Sequence, residues 1–295
     1  VDLLADALPV HIRHTAECPE VDPVLCATTT IPNHIHDQQI AWFRFDPTLQ
    51  VGLGKGWQAA VQIPFDVRAV RVAYETVSET GSGEPYDPPY DDIHHRNEVV
   101  AGLVDGVVSL RRYAMVGPSV LGGGLGSTMP IGRTEADPFL LADQGLAHQH
   151  LQLGTGTFVP VLSGDLLISG RRWGSMVWGQ ARLPLYANAK GYQPPYTATI
   201  GGGPTFRVTP TLQVLANVEV TAESAELWHA TPHGGRFAVL GGIGAQYTLS
   251  AQTVLQAGVR ATAWQWTAKD GDEDATYVQP VIATVGISWS PKGMR

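Results

Sequence analysis

Apolar and polar side chains alternate one by one along much of this chain. Trp57, Ala59, Val61, Ile63, Phe65 and Val67 alternate with Gln58, Ala60, Gln62, Pro64, Asp66 and Arg68. Phe43, Phe45, Leu49 and Val51 alternate with Arg44, Asp46, Thr48 and Gln50. Leu212, Val214, Ala216, Val218 and Val220 are set against Gln213, Asn217 and Glu219, and Leu255, Ala257, Val259 and Ala261 against Gln256, Arg260 and Thr262. Successive side chains of a strand point to opposite faces, so these segments read as two-faced β-strands. The polar face of a soluble sandwich is its outer surface and is usually rich in Lys and Glu. Here the polar faces carry Gln, Thr, Asn, Gly and isolated charges, which suits a crowded polar interior inside an apolar wall facing lipid.

The connections add a second regularity. Tight links fall near Gly54-Lys55-Gly56, Val116-Gly117-Pro118, Gly170-Arg171-Arg172, Thr209-Pro210-Thr211 and Ser250-Ala251. Between them lie longer polar segments near 79–97, 131–149, 188–195, 223–234 and 268–276. Outer-membrane barrels alternate short periplasmic turns with long outer loops in this way. Eleven strands are read from residue 38 onward, and residues 6–14 supply a first strand that makes the number even. The segment 15–36 then becomes the first outer loop. The expected fold is all-β: an antiparallel transmembrane β-barrel of about 12 strands, forming one domain over residues 1–295. Interface girdles draw amphipathic rings to the headgroup level. Trp57, Trp173 and Trp289 sit where the short-turn girdle needs them, and Tyr74, Tyr186, Trp228, Trp264, Trp266 and Tyr277 toward the long-loop ends.

Composition supports the same class. Charged residues make up 16% of the chain, against roughly 25% for soluble domains. No window approaches the ~18–20 continuous apolar residues of a membrane helix. The net charge of −8 argues against nucleic acid as a partner. Val1-Asp2-Leu3-Leu4 has no basic region followed by an apolar core, so the chain reads as a mature form whose signal peptide has been removed. The expected location is the Gram-negative outer membrane, with the lipid bilayer as a partner. Cys18 and Cys26 lie in the first polar segment and are expected to form a disulfide in an oxidising compartment.

Several motifs resemble those of the outer-membrane "MetA-pathway of phenol degradation" transporter family. Gly102-Leu103-Val104-Asp105-Gly106-Val107-Val108-Ser109-Leu110-Arg111-Arg112-Tyr113 is similar to its strand-opening Gly-x-Gly-Asp pattern, with Val104 in place of a usual Gly. Met129-Pro130-Ile131-Gly132 resembles its Leu-Pro-Thr-Gly, and Gly154-Thr155-Gly156-Thr157-Phe158-Val159-Pro160 its Gly-x-Gly-Ser-x-x-Pro. Gln62-Ile63-Pro64-Phe65 fits the preceding strand, and the resemblance covers roughly residues 38–290. It implies a barrel like the fatty-acid and aromatic-hydrocarbon channels, passing small, often apolar or aromatic molecules. It names no substrate.

Candidate chemistry concentrates in the histidines. His34/His36 and His148/His150 have His-x-His spacing, which puts both imidazoles on one face of an extended chain. His94 and His95 follow Asp87, Asp91 and Asp92. These six, followed by His11 and His14, are the candidate ligands for copper or zinc, while His229 and His233 are the expected bystanders. Solvated or hydrogen-bonded loop histidines are the simpler alternative. Arg44, Asp46, Asp66, Arg68, Arg111, Asp165, Arg182, Glu219 and Arg260 are expected to line the lumen, most of them as a paired brace. No Gly-x-Ser-x-Gly occurs, and neither Gly122-Gly123-Gly124-Leu125-Gly126 nor Gly201-Gly202-Gly203 opens a phosphate-binding helix. The chain is therefore expected not to be an enzyme. A channel for a small-molecule permeant leads; a metal-binding or metal-uptake barrel and a non-transporting surface protein are the alternatives.

Overall fold

A computed structural model describes residues 1–16, 23–77, 83–88, 96–148, 150–268 and 276–291. In chain order the elements are β1 (Asp2–Ala16), α1 (Pro23–Cys26), β2 (His34–Gly54), β3 (Trp57–Gln62), β4 (Phe65–Thr76), β5 (Glu98–Leu103), β6 (Gly106–Val116) and β7 (Ser119–Met129). Then follow α2 (Pro138–Asp143), β8 (Pro160–Ser169), β9 (Trp173–Arg182), β10 (Tyr192–Gln193), β11 (Thr197–Arg207), β12 (Leu212–Glu223), β13 (Glu226–Trp228) and β14 (Thr231–His233). The last are β15 (Arg236–Thr248), β16 (Thr253–Thr267), β17 (Thr276–Val278) and β18 (Val281–Trp289).

The wall is a closed antiparallel β-barrel of 12 staves. Three staves consist of two strands each: β3 with β4, β5 with β6, and β17 with β18. Pro64 and Pro280 sit at two of the breaks, where a missing N–H leaves a ladder position unfilled. Thus Gln62-Ile63-Pro64-Phe65 interrupts its stave rather than running through it. Beside it, Val104 N–H donates to the Pro64 carbonyl at 2.9 Å, so neighbouring breaks share a hydrogen bond. β1 closes the barrel by pairing along its whole length with β2 and on its other edge with β17 and β18. It extends beyond the expected 6–14 at both ends, and the first long segment is correspondingly shorter. The Val1 ammonium donates to the Trp289 carbonyl at 2.7 Å, holding the N-terminus beside the last strand.

Burial is inverted relative to a soluble sheet. Phe43, Phe45, Leu49, Leu125, Ile200, Ile243 and Val285 are all exposed, whereas Asp66 and His36 are fully buried. A closed sheet with this apolar exterior pairs its backbone N–H and C=O groups between neighbouring strands, as hydrocarbon requires. Trp57, Trp173, Trp289, Tyr186, Trp264 and Trp266 are exposed as a girdle needs. Three others are not. Trp228 is buried in a small sheet of β10, β13 and β14, Tyr74 packs on His34 and His36, and Tyr277 packs on the inner cluster Val10, Ile40 and Val70.

Candidate functional site

The inner face of the wall divides into two halves of different chemistry. On β1, β2, β4 and β5 the inward side chains are packed. Val10, Ile40 and Val70 form a buried cluster joined by Leu8, Ile12, Trp42, Val72, Tyr277 and Leu151. Leu151 belongs to no wall strand. It comes from the long segment between β7 and β8, which folds into the barrel. Arg68 Nη1 donates to the Gln152 carbonyl at 3.0 Å, and Leu153 is buried where Gly102 has no side chain to oppose it.

A buried carboxylate anchors this half. Asp66 accepts from Arg44 Nε at 2.8 Å and Nη2 at 3.0 Å, and from Arg68 Nη2 at 2.8 Å. The Arg68 guanidinium also lies 4.1 Å from the centre of the Trp42 ring. Asp46 nearby is buried and accepts from Gln62 Nε2 at 3.1 Å. A second carboxylate holds the root of the infolded segment. Asp105 accepts from Gly132 N–H at 3.0 Å, Thr155 N–H at 2.7 Å and Thr155 Oγ1 at 2.6 Å. Gly132 and Gly154 touch backbone to backbone there, too close for any Cβ. The three sequence motifs thus meet at one clamp. Their spacing along the chain gives no hint of that meeting.

The other half, on β7 to β16, is lined by small residues and by side chains lying flat on the wall. A Cβ at Gly122 would strike Asp165 and Tyr113, and one at Gly124 would strike Arg111 and Ser163. The glycine run of β7 therefore makes room for the Arg111–Asp165 ion pair. Farther round, Arg260 pairs with Glu219 at 2.7 Å, and Arg236 clamps Glu223 through two nitrogens at 3.0 and 3.2 Å. Gln180 and Arg182 of β9 have the inward parity of the strand, opposite to exposed Val177, yet remain accessible to water. Arg236 and Glu223 were missed in the sequence; they close their strands, where alternation gives no inward or outward label.

The histidines gather at the long-loop end but do not form a metal centre among the described residues. His34 Nε2 and His36 Nε2 lie 3.0 Å apart and hydrogen-bond each other, while His34 Nδ1 faces the Pro32 carbonyl at 2.9 Å. His14 meets His36 edge-on, with ring centres 5.1 Å apart. His11 is on the opposite face of β1, paired with Asp37 at 2.6 Å. His148 faces the Leu146 carbonyl at 2.8 Å, and His150 packs edge-on against Phe139. These contacts engage both ring nitrogens of His34 and one each of His11, His36 and His148 with protein groups. His94 and His95 lie outside the described residues. The expected bystanders are structural: His233 stacks on Phe139 with centres 3.6 Å apart, and His229 lies 3.6 Å from Asp137.

The long loops pack on one another at this end. Tyr192 stacks tilted on Trp228 and donates its hydroxyl to Glu226 at 3.0 Å. Burial and the adjacent Glu226 carboxylate push the Tyr192 phenol far above its ordinary range, so it stays neutral. Among the described residues there is no free cysteine; Cys18 lies outside them.

No family model matches the chain, and no curated protein matches it in sequence. Solved structures do match it. An outer membrane channel from Pseudomonas putida F1 aligns at 11% identity over 97% of this chain and 94% of that one, with a TM-score of 0.55. A Pseudomonas aeruginosa FadL homologue aligns at 11% identity over 98% and 89%, with a TM-score of 0.45. The CymD monoaromatic hydrocarbon channel aligns at 7% identity over 100% and 89%, with a TM-score of 0.42. The likeness is one of fold, and of these three the first alone is near enough to support even that.

Proposed function

We propose that this protein is a channel of the Gram-negative outer membrane that admits small molecules, apolar and aromatic ones among them, without acting on them chemically. The supporting observation is the uneven filling of a closed barrel. One half is stoppered by the segment around Leu151–Leu153, while in the other half Gln180 and Arg182 remain wet behind an apolar wall. Glycines on the inner face keep the long side chains against that wall. The inward charges line the path and brace it through their pairs. The apolar inner cluster with Trp42 offers uncharged surface beside the path. In the same reading a Cys18–Cys26 disulfide ties down the first outer segment; an unchanged mass after thiol alkylation without reductant checks it. Liposome swelling with the purified protein tests the channel. Vesicles carrying it should swell in small solutes faster than empty ones and reject larger sugars. Swelling equal to that of empty vesicles would remove the proposal.

A further inference from the structure

We propose that the inner face of β9 is a binding site for a small organic carboxylate with an aromatic body, Arg182 taking the carboxylate and Trp178 the ring. The inference deepens the channel reading and rests on it for the route by which the ligand arrives.

Arg182 stands apart from the other inward arginines. Arg44 and Arg68 share Asp66, Arg111 has Asp165, Arg236 has Glu223, and Arg260 has Glu219. The Arg182 side chain makes no ion pair or hydrogen bond with any described residue. It is enclosed by surrounding protein atoms and still accessible to water, which is the condition of a side chain facing a water-filled lumen. Three carboxylates bear on it without contacting it: Asp105, Asp46 and Glu223. Asp105 is committed to Gly132 and Thr155, Asp46 accepts from Gln62, and both Glu223 oxygens are held by Arg236. A guanidinium presents a planar fork of donors that matches a carboxylate. A guanidinium with no carboxylate in contact can take such an anion without first breaking an internal pair.

The neighbours fit the rest of the ligand. Gln180 is accessible on the same face. By register it adjoins Thr199, whose hydroxyl lies 3.1 Å from that of Thr221. These neutral donors can solvate an anion without competing for it. Trp178 follows on the same face, its indole lying over Gly201, where any Cβ would collide with the ring. Residues four apart on a strand are about 13 Å apart at Cα. The arginine side chain and the indole narrow that gap to the length of a benzoate-sized molecule.

Calorimetric titration of the detergent-purified protein with sodium benzoate, with benzamide as the uncharged isostere, tests the site. Benzoate should bind at least tenfold more tightly than benzamide. Arg182→Gln should weaken benzoate at least tenfold and leave benzamide unchanged, Arg182→Lys should lose less, and Trp178→Leu should weaken benzoate more than acetate. Heat-modifiable gel mobility establishes that each variant is folded. Equal affinity for benzoate and benzamide, no benzoate binding, or an undiminished affinity in folded Arg182→Gln overturns the proposal. Swelling assays on the same preparations separate the two readings: binding without permeation removes the channel, and permeation without Arg182-dependent binding removes the site.

Discussion

Replacing Asp66 with Asn is the sharpest test of how the inner wall is held. Asp66 is fully buried and is the shared acceptor of two guanidiniums. Asn keeps the shape but removes the charge and turns one acceptor into a donor aimed at a cation. Breaking a buried pair from one side costs about 3–5 kcal/mol, because the remaining charge stays desolvated. Arg44 is 30% accessible and regains some water, whereas Arg68 at 9% does not. The expected loss is therefore about 3 kcal/mol, at the low end of that range. Asp165→Asn is the internal control. It removes the partner of one arginine, with both side chains about a quarter accessible, and should cost about 1 kcal/mol or less. Equilibrium unfolding in guanidinium, followed by tryptophan fluorescence in micelles, reads both. Equal losses for the two variants, or a loss below about 1 kcal/mol for Asp66→Asn, would refute the argument that burial sets the value of these pairs.

Three further outcomes follow from the same structure. Leu125→Arg, at a mid-strand side chain 66% exposed, should cost about 2–4 kcal/mol in bilayers, whereas a water-exposed site would stay within about 0.5 kcal/mol; urea unfolding from lipid vesicles measures it. Asp105→Ala strips the acceptor from two backbone N–H groups and one hydroxyl. It should cost about 3 kcal/mol and create new protease cuts between 130 and 159, read by mass spectrometry. Leu151→Asp sets a charge against Val10, Ile40 and Val70; single-channel conductance should rise severalfold, and an unchanged value would show that the infolded segment does not limit flow.

The wall was legible because a strand has a period of two and a barrel needs an apolar outside. Phe43 and Phe45 against Arg44 and Asp46 carry both facts in four residues. Even the existence of the first strand followed, since an even number of staves lets every neighbouring pair run antiparallel. Legibility ended where a side chain's role depends on a partner far away in sequence. Leu151 and Leu153 sit in an aperiodic polar segment, and nothing local says that they enter the barrel. The His-x-His pairs share a face as expected. Whether two imidazoles point at an ion or at each other is decided by a fraction of an ångström, which spacing does not encode. Trp228 and Tyr277 have the composition of girdle residues and the contacts of packed ones.

The two kinds of glycine on the inner face explain how so narrow a barrel can be half blocked and half lined. At Gly102, Gly132 and Gly154 the missing side chain lets backbone or leucine approach, and the infolded segment fills the space. At Gly122, Gly124 and Gly201 it makes room beside the wall for Asp165, Arg111 and Trp178. The same residue type therefore closes one side and clears the other, according to whether the neighbour comes from the loop or from the wall. A bulky residue at Gly124 would push Arg111 into the lumen and narrow the path. One at Gly154 would expel the segment and widen it. Opposite signs of conductance change from the two substitutions are what a divided lumen requires. A uniformly lined pore would give the same sign for both.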